Sequence, residues 1–109
     1  MSIVATISVT PIGWRTEGLG EYVAEIVSNI REETLKQGGV WETTAMNTTI
    51  EVDTLEQILG VFRSALSHAN SCGVKRVLVS IQMDILYDGQ KNRISQKRAS
   101  VYRALSSPK

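Results

Sequence analysis

The sequence predicts a small α+β domain in the order strand, helix, strand, strand, helix, strand, with a further helix at its C-terminal end. Two segments alternate apolar and polar residues with the period of a strand, and two longer segments have the three-to-four spacing of amphipathic helices. Between the helices lies Thr43–Glu51, a hydroxyl-rich and β-branched stretch typical of two short strands at a tight junction. Right-handed crossovers place both long helices on one face of an antiparallel sheet, which is the ferredoxin-like βαββαβ arrangement.

The first strand and helix are predicted from their periodicity. Apolar residues alternate through Ile3–Val9, and Pro11 ends the strand. The first helix begins near Leu19 and ends at Gly38-Gly39, because glycine favours the conformation that stops a helix. Its apolar stripe consists of Leu19, Tyr22, Val23, Ile26, Val27 and Ile30.

The second half of the chain repeats this order. Either Asp53 or Thr54 can cap the second helix, since Glu56 and Gln57 lie at the capping-box spacing. Its predicted apolar stripe is Leu55, Ile58, Leu59, Phe62, Leu66 and Ala69. A strand follows over residues 76–85, and residues 95–105 have the composition of a helix with a basic face of Lys97, Arg98 and Arg103.

Nothing in this arrangement covers the sheet face opposite the two long helices, so we expect another subunit to cover it. Glu51 and Asp84 are the carboxylates predicted on this face, where they could perform acid–base chemistry, bind a cation or pair with Arg76. The predicted residues of the face are Val4, Thr6, Ser8 and Thr10, then Thr49 and Glu51, then Leu78, Ser80, Gln82 and Asp84.

Composition limits the classes of function. A length of 109 residues predicts a single domain over residues 1–109. The lone Cys72 excludes an internal disulfide, and with the lone His68 it offers neither a zinc-ligand spacing nor an evident nucleophile and base pair, so no metal or catalytic residue is predicted. The first residues resemble neither a signal peptide nor a membrane span, which predicts a cytoplasmic protein.

Charge is distributed unevenly along the chain. Residues 1–60 hold three basic and nine acidic side chains, whereas residues 61–109 hold nine basic and two acidic ones. Such asymmetry can mark a nucleic-acid surface, complementary subunit faces or simply two solvated surfaces. An RNA-reading sheet also needs exposed aromatic residues, and this chain has only six, of which Tyr22 and Phe62 lie on the helix stripes.

Four short segments resemble a family of small thiamine-binding proteins that was once known only as an uncharacterised protein family. They are Pro11-Ile12-Gly13, Tyr22-Val23-Ala24, the junction Met46-Asn47-Thr48-Thr49-Ile50-Glu51, and Lys75-Arg76-Val77. The resemblance extends from about Ile3 to about Asp88. This chain departs from the family pattern at Ala45 and Asn47, where a proline and a glycine are common, and at Leu86, where an arginine is common.

The resemblance implies a non-enzymatic protein that binds thiamine or its hydroxymethylpyrimidine part and assembles as a dimer of dimers. No other cofactor, no membrane and no nucleic acid are implied as partners. The residues it implies for ligand binding are Ser8, Thr44, Met46, Asn47, Thr48, Glu51 and Asp84. The alternative is a protein- or nucleic-acid-binding module that uses the basic C-terminal half.

Overall fold

A computed structural model describes residues 1–13, 18–44, 47–88 and 92–106 of the chain. Its elements follow the predicted order and end with the predicted additional helix. They are strand β1 (Ser2–Pro11), helix α1 (Leu19–Lys36), strands β2 (Val40–Thr43) and β3 (Thr48–Val52), helix α2 (Leu55–Ser71), strand β4 (Val77–Leu86) and helix α3 (Arg93–Ser106).

The four strands form one antiparallel sheet in the order β2-β3-β1-β4, as the ferredoxin-like topology requires. In its register Val4 lies opposite both Glu51 and Asp84, and Thr6 lies opposite both Thr49 and Gln82. Residues directly opposite one another share a face of the sheet. The predicted composition of the face away from α1 and α2 is therefore confirmed for these two rows.

The core lies between the sheet and helices α1 and α2. The sheet contributes Ile3, Ala5 and Ile7 from β1 and Ile50 from β3, all of which are almost fully buried. From α1, the core receives Tyr22, Ile26 and Ile30.

The buried side of α2 differs from the predicted stripe. The helix buries Ile58, Val61, Ala65 and Ala69, whereas Leu55, Leu59 and Leu66 are exposed. Both sets follow helical spacing, so periodicity alone could not separate them. The small side chain of Ala65 allows close packing, and this favours the set that contains it.

Local signals explain where the helices begin and end. Thr54, and not Asp53, caps α2: its hydroxyl accepts from the backbone N–H of Gln57, whose side chain accepts in turn from the N–H of Thr54. After α1, Gly38 adopts a positive φ of 81°. A Cβ at the following Gly39 would lie 2.7 Å from the carbonyl oxygen of Glu51, so only glycine allows β2 to begin this close to β3.

The prediction that nothing in the chain covers the far face of the sheet is wrong. The first turn of α3 packs there, where Arg93 and Ile94 are buried. Beyond this turn, every residue of α3 through Ser106 is exposed, including Val101, Tyr102 and Leu105. The helix therefore covers one end of the face and projects from the rest of the molecule. With α3 included, the longest dimension of the described structure is 51 Å.

Among the helices of the described ranges, none has the length and apolar character needed to cross a membrane.

Candidate functional site

The candidate site lies where β3 begins beside β1. The last pair between these strands joins Ile7 to Thr48, but β1 continues to Pro11 and stays paired with β4 on its other side. Among the described residues, no strand therefore pairs with β1 on the β3 side from Ser8 to Pro11. Such a strand edge offers backbone donors and acceptors to a partner that can use them.

The neck of the β2–β3 hairpin borders this edge and is held by threonine hydroxyls. The carbonyl oxygen of Asn47 accepts from the backbone N–H of Thr44 at 2.9 Å and from the hydroxyl of Thr43 at 3.2 Å. The hydroxyls of Thr43 and Thr48 lie 3.1 Å apart, within hydrogen-bonding distance. These bonds fix the neck, so the polar side chains along it have defined positions.

Two cavities meet at this place, and Ile7, Ser8 and Asn47 line both. One has a volume of about 190 Å³ and lies between the strand edge, the hairpin neck and α1. The other has a volume of about 220 Å³ and opens on the far face of the sheet, where its lining includes Ser80 and Gln82. We call the two together the hairpin cleft. Its combined volume falls in the range of about 300–1,000 Å³ that is usual for small-ligand pockets.

The walls of the hairpin cleft differ in character. Helix α1 supplies an apolar wall through Val23, Ile26, Val27 and Ile30. The strand edge and the hairpin neck supply hydroxyl and amide groups. The polar lining residues are Thr6, Ser8, Thr10, Thr43, Thr44, Asn47, Thr48, Ser80 and Gln82. A flat ring with polar substituents fits such a surface, since its face can contact α1 while its edge forms hydrogen bonds.

Glu51 lies outside the hairpin cleft and caps α3. Its carboxylate is buried, and its two oxygens accept from the backbone N–H groups of Arg93 and Ile94 at 2.9 and 3.0 Å. The first N–H groups of a helix have no partner within the helix and carry partial positive charge. A carboxylate from β3 therefore supplies the cap that a residue just before α3 would ordinarily provide.

Asp84 also binds α3. One of its oxygens lies 2.7 Å from the guanidinium of Arg93, and the other accepts from the ammonium group of Lys97 at 2.6 Å. The hydrogen bond from Lys97, followed by that from Arg93, lowers the pKa of Asp84. The Arg93 guanidinium donates further to the carbonyl oxygens of Ser2 and Asp84, both at 3.0 Å. Its buried charge is thus hydrogen-bonded on several sides, as such a charge requires.

The structure divides the predicted ligand-binding residues into two groups. Ser8, Thr44, Asn47 and Thr48 come together around the hairpin cleft. Glu51 and Asp84 lie together at the start of α3, where a ligand would compete with the helix for them. Met46 lies outside the described residues. A ligand-binding role for each of these residues stays a prediction.

Sequence reasoning missed several residues of this region. Val23 and Val27 belong to the predicted apolar stripe of α1, but they line the cleft because β3 is too short to cover that part of the helix. Periodicity shows which side of a helix is apolar and not whether a strand reaches it. The signal that could have found them is the difference in predicted length between β1 and β3.

A further correction concerns the lone thiol and the lone imidazole. The sequence analysis finds no evident nucleophile and base pair in Cys72 and His68, yet the Cys72 sulfur lies 3.5 Å from Nε2 of His68. The carboxylate of Glu25, which belongs to α1, lies 3.1 Å from the same nitrogen. The structure therefore brings together three reactive side chains whose proximity the sequence did not predict.

The fold and the cleft together define a class of protein: a small ferredoxin-like α+β protein with a hydroxyl-lined pocket beside the neck of its β2–β3 hairpin. A model of the family described as thiamine-binding protein matches residues 5–102. The chain belongs to the thiamine-binding protein family.

Individual relatives agree with this assignment. The chain is 35% identical over 108 residues to the UPF0045 protein Mb1933 of Mycobacterium bovis, and the match covers 99% of each chain. It is 30% identical to the hypothetical protein MJ1052 of Methanocaldococcus jannascii, whose crystal structure superposes with a TM-score of 0.69 over 93% of this chain and 96% of that one.

A third protein supports the fold alone, because its identity to this chain is only 20%. It is TM0486 of Thermotoga maritima, described as a candidate thiamine biosynthesis/salvage protein. Its crystal structure has a TM-score of 0.71 and covers 94% of this chain and all of the other.

Proposed function

We propose that this protein binds thiamine, or its hydroxymethylpyrimidine part, in the hairpin cleft without chemically changing it. The observation that carries the proposal is the pairing of an apolar α1 wall with a rim of hydroxyl and amide groups in a member of the thiamine-binding protein family. An aminopyrimidine presents both donors and acceptors at its edge, and side chains such as Ser8, Thr44 and Asn47 can match either kind.

The cleft favours the pyrimidine half of the ligand over the cationic thiazolium half. Among the described residues that line it, none carries a charge. A cation would gain little electrostatic stabilisation there. A neutral ring can pack against Val23 and Val27 and form hydrogen bonds at its edge. The free pyrimidine should therefore retain most of the affinity of whole thiamine.

The same lining supports binding over catalysis. General acid–base chemistry needs a titratable group within hydrogen-bond reach of the reacting atom. The described lining offers hydroxyls, two carboxamides and aliphatic side chains. We therefore assign no catalytic residue, and the ligand itself is the only small molecule that the proposal requires.

The contacts of α3 do not favour the alternative of a nucleic-acid-binding module. Arg93 and Lys97 pair with Asp84, and Arg98 donates to Glu42 at 3.0 Å. Three of the basic side chains on which that alternative depends thus already face carboxylates of the same chain, which weakens their attraction for phosphate.

Isothermal titration with thiamine, thiamine phosphate and the free hydroxymethylpyrimidine tests the proposed function. We expect saturable binding near one ligand per chain, with similar affinities for thiamine and the pyrimidine. A flat titration with all three compounds would contradict the proposal. Tighter binding of thiamine phosphate than of the other two would instead indicate a charged subsite that the cleft does not provide.

We also propose that the protein is a homo-oligomer in which α3 contacts a second copy. Val101, Tyr102 and Leu105 lie at helical spacing on this helix, and 58, 61 and 76% of their respective surfaces are exposed. At the opposite end of the far face, where β4 begins, this edge strand presents Leu78, which is 60% exposed. Large exposed apolar side chains grouped on one helix of a small domain are typical of a subunit interface.

Sedimentation equilibrium of two leucine variants tests the oligomer. Leu105→Glu places a charge in the proposed contact, so we expect the mean mass to fall toward that of one 12.0 kDa chain. Leu59→Glu is the matched control, because Leu59 is 57% exposed on α2, which packs on the other side of the sheet. A monomeric wild-type protein would contradict the proposal. A mass that falls only in Leu59→Glu would also contradict it, because the subunit contact would then lie on the side of the sheet that α1 and α2 cover.

A further inference from the structure

A cluster of three metal-ligating side chains lies apart from the residues of the hairpin cleft. It consists of Glu25 on α1 and of His68 and Cys72 at the end of α2. His68 and Cys72 are four residues apart, so they lie on the same side of the helix end. Helix α1 packs against α2, and this packing brings Glu25 close to His68 and Cys72.

The three ligand atoms form a compact triangle. Nε2 of His68 lies 3.1 Å from Oε2 of Glu25 and 3.5 Å from the sulfur of Cys72, and the sulfur lies 3.9 Å from the same Glu25 oxygen. The same three atoms, one from each residue, define all three distances. The side chains are therefore already aimed at a common point.

This triangle has the size of one face of a tetrahedral zinc site. Zinc binds sulfur at about 2.3 Å and nitrogen or carboxylate oxygen at about 2.0–2.2 Å, so tetrahedral angles separate neighbouring ligand atoms by about 3.3–3.6 Å. The observed edges depart from these values by only about 0.3 Å or less. Rotation of the exposed Glu25 side chain is enough to remove the difference.

Without a metal ion, hydrogen bonds join these three groups, because the Cys72 thiol and a protonated Nε2 of His68 can both donate to Oε2 of Glu25. Nε2 of His68 faces both a carboxylate and a sulfur, but it can donate only one proton in the neutral imidazole. A metal ion at the centre would instead accept a lone pair from each of the three groups. The C-terminal end of α2 adds to this preference, because the backbone carbonyls there carry partial negative charge.

We propose that Glu25, His68 and Cys72 bind a thiophilic divalent cation, with Zn²⁺ as the preferred ion and a fourth position open to water or an external ligand. The combination of a thiolate, an imidazole and one carboxylate suits zinc and other late transition metals and does not suit Mg²⁺ or Ca²⁺. Binding deprotonates the thiol, so one proton leaves Cys72 for each ion bound to the thiol form. Because Glu25 belongs to α1 while His68 and Cys72 lie at the end of α2, the bound ion would also link the two helices.

Cobalt titration of the full-length protein tests this site directly. The protein is first stripped of metal with a chelator and kept reduced with a reagent that contains no thiol. Because Cys72 is the only cysteine, a thiolate-to-cobalt charge-transfer band can come from no other residue. We expect this band to saturate at one Co²⁺ per chain, to disappear on addition of Zn²⁺, and to persist in excess Mg²⁺.

Variants of the ligands separate this site from incidental thiol binding. Cys72→Ser should abolish the band, His68→Asn should weaken Co²⁺ binding by about 100-fold or more, and Glu25→Gln by about tenfold or more. Glu56→Gln is the matched control, since Glu56 is an exposed carboxylate in the first turn of α2 and should leave the affinity unchanged. Circular dichroism of each variant verifies that it is folded.

Two results would overturn the proposal. One is the absence of the charge-transfer band at millimolar Co²⁺ in the folded wild-type protein. The other is a band that saturates at one Co²⁺ per two chains and is unaffected by His68→Asn and Glu25→Gln, since this would identify a thiolate pair between copies. Neither result depends on thiamine binding, so this proposal and the proposed function fail separately.

Discussion

The two ends of the far sheet face use their polar groups in opposite ways. At the α3 end, the carboxylates of Glu51 and Asp84 receive hydrogen bonds from the backbone and from cationic side chains of the same chain. At the hairpin end, threonine hydroxyls bind within the neck while Ser8 and Asn47 remain exposed around a cavity. The first end is a structural contact, and the second is open to a ligand.

The difference shows that membership of one sheet face does not define one function. Thr49 and Glu51 lie two residues apart in β3, on the same face of the sheet. What separates the two ends is the C-terminal helix, which returns to cover one end and leaves the other exposed. Perturbing each end in turn should therefore give different kinds of effect.

The largest effect is expected at the α3 end. Glu51→Ala leaves the N–H groups of Arg93 and Ile94 without their acceptor, and we expect the free energy of unfolding to fall by about 1–3 kcal/mol. Urea denaturation measures this loss. Glu56→Ala is the control, because Glu56 is an exposed glutamate on another helix. Equal stabilities of the two variants would show that Glu51 does not hold α3.

A smaller effect, on affinity and not on stability, is expected at the hairpin end. Asn47→Ala removes one amide from the hairpin cleft and leaves the backbone bonds of the neck, so we expect thiamine binding to weaken by about 0.5–1.5 kcal/mol, or about two- to tenfold. Isothermal titration measures the change. Asn70→Ala is the matched control, since Asn70 is exposed on α2 and does not line the cleft.

Glu51→Gln sharpens the same comparison. If the ligand lies in the hairpin cleft, this variant should bind thiamine with unchanged affinity while its α3 contact weakens. A loss of about 1–3 kcal/mol in binding free energy would instead indicate that Glu51 contacts the ligand, which is the role that the family resemblance implies for it.

The smallest effect is expected at the half-exposed Asp84. Its pKa is lowered in the folded state by Lys97 and Arg93, so the folded protein favours the ionised carboxylate. The resulting stability is fully present above the ordinary aspartate pKa of about 3.9 and is lost as the pH falls through the lower folded pKa. Asp84→Asn should therefore lower Tm at neutral pH and flatten its decline in acid.

Thermal melts from pH 7 to below pH 3 measure this dependence. Asp88→Asn serves as the control, because Asp88 is an exposed aspartate just beyond β4. Parallel acid profiles for the wild-type protein and Asp84→Asn would contradict the assignment.

Much of the fold could be predicted because its determinants are local. Period-two patterns located β1 and β4, helical stripes located α1 and α2, and the crossover rule then determined their order in the sheet. The choice between the two apolar stripes of α2 could not be made. It depends on whether Val61 or Leu59 fits the facing sheet, which only the assembled core decides.

The candidate site was less predictable because its partners are distant in the chain or belong to the backbone. Glu51 binds two N–H groups of α3, and the identity of side chains does not show which backbone donors lack a partner. The relation of His68 to Cys72 is visible as a spacing, but Glu25 joins them only through the packing of two helices. The composition of the far face was predictable, whereas its division into two ends was not.

The central claim is that the ligand occupies the hairpin end of the sheet, and one measurement tests it most directly. Uniformly ¹⁵N-labelled protein is titrated with hydroxymethylpyrimidine while its backbone amide resonances are followed. We predict chemical-shift changes centred on Ser8, Thr44, Asn47 and Thr48, with Glu51, Asp84 and the first turn of α3 unaffected. Changes centred on Glu51, Asp84 and Arg93, or no changes at saturating ligand, would contradict the account.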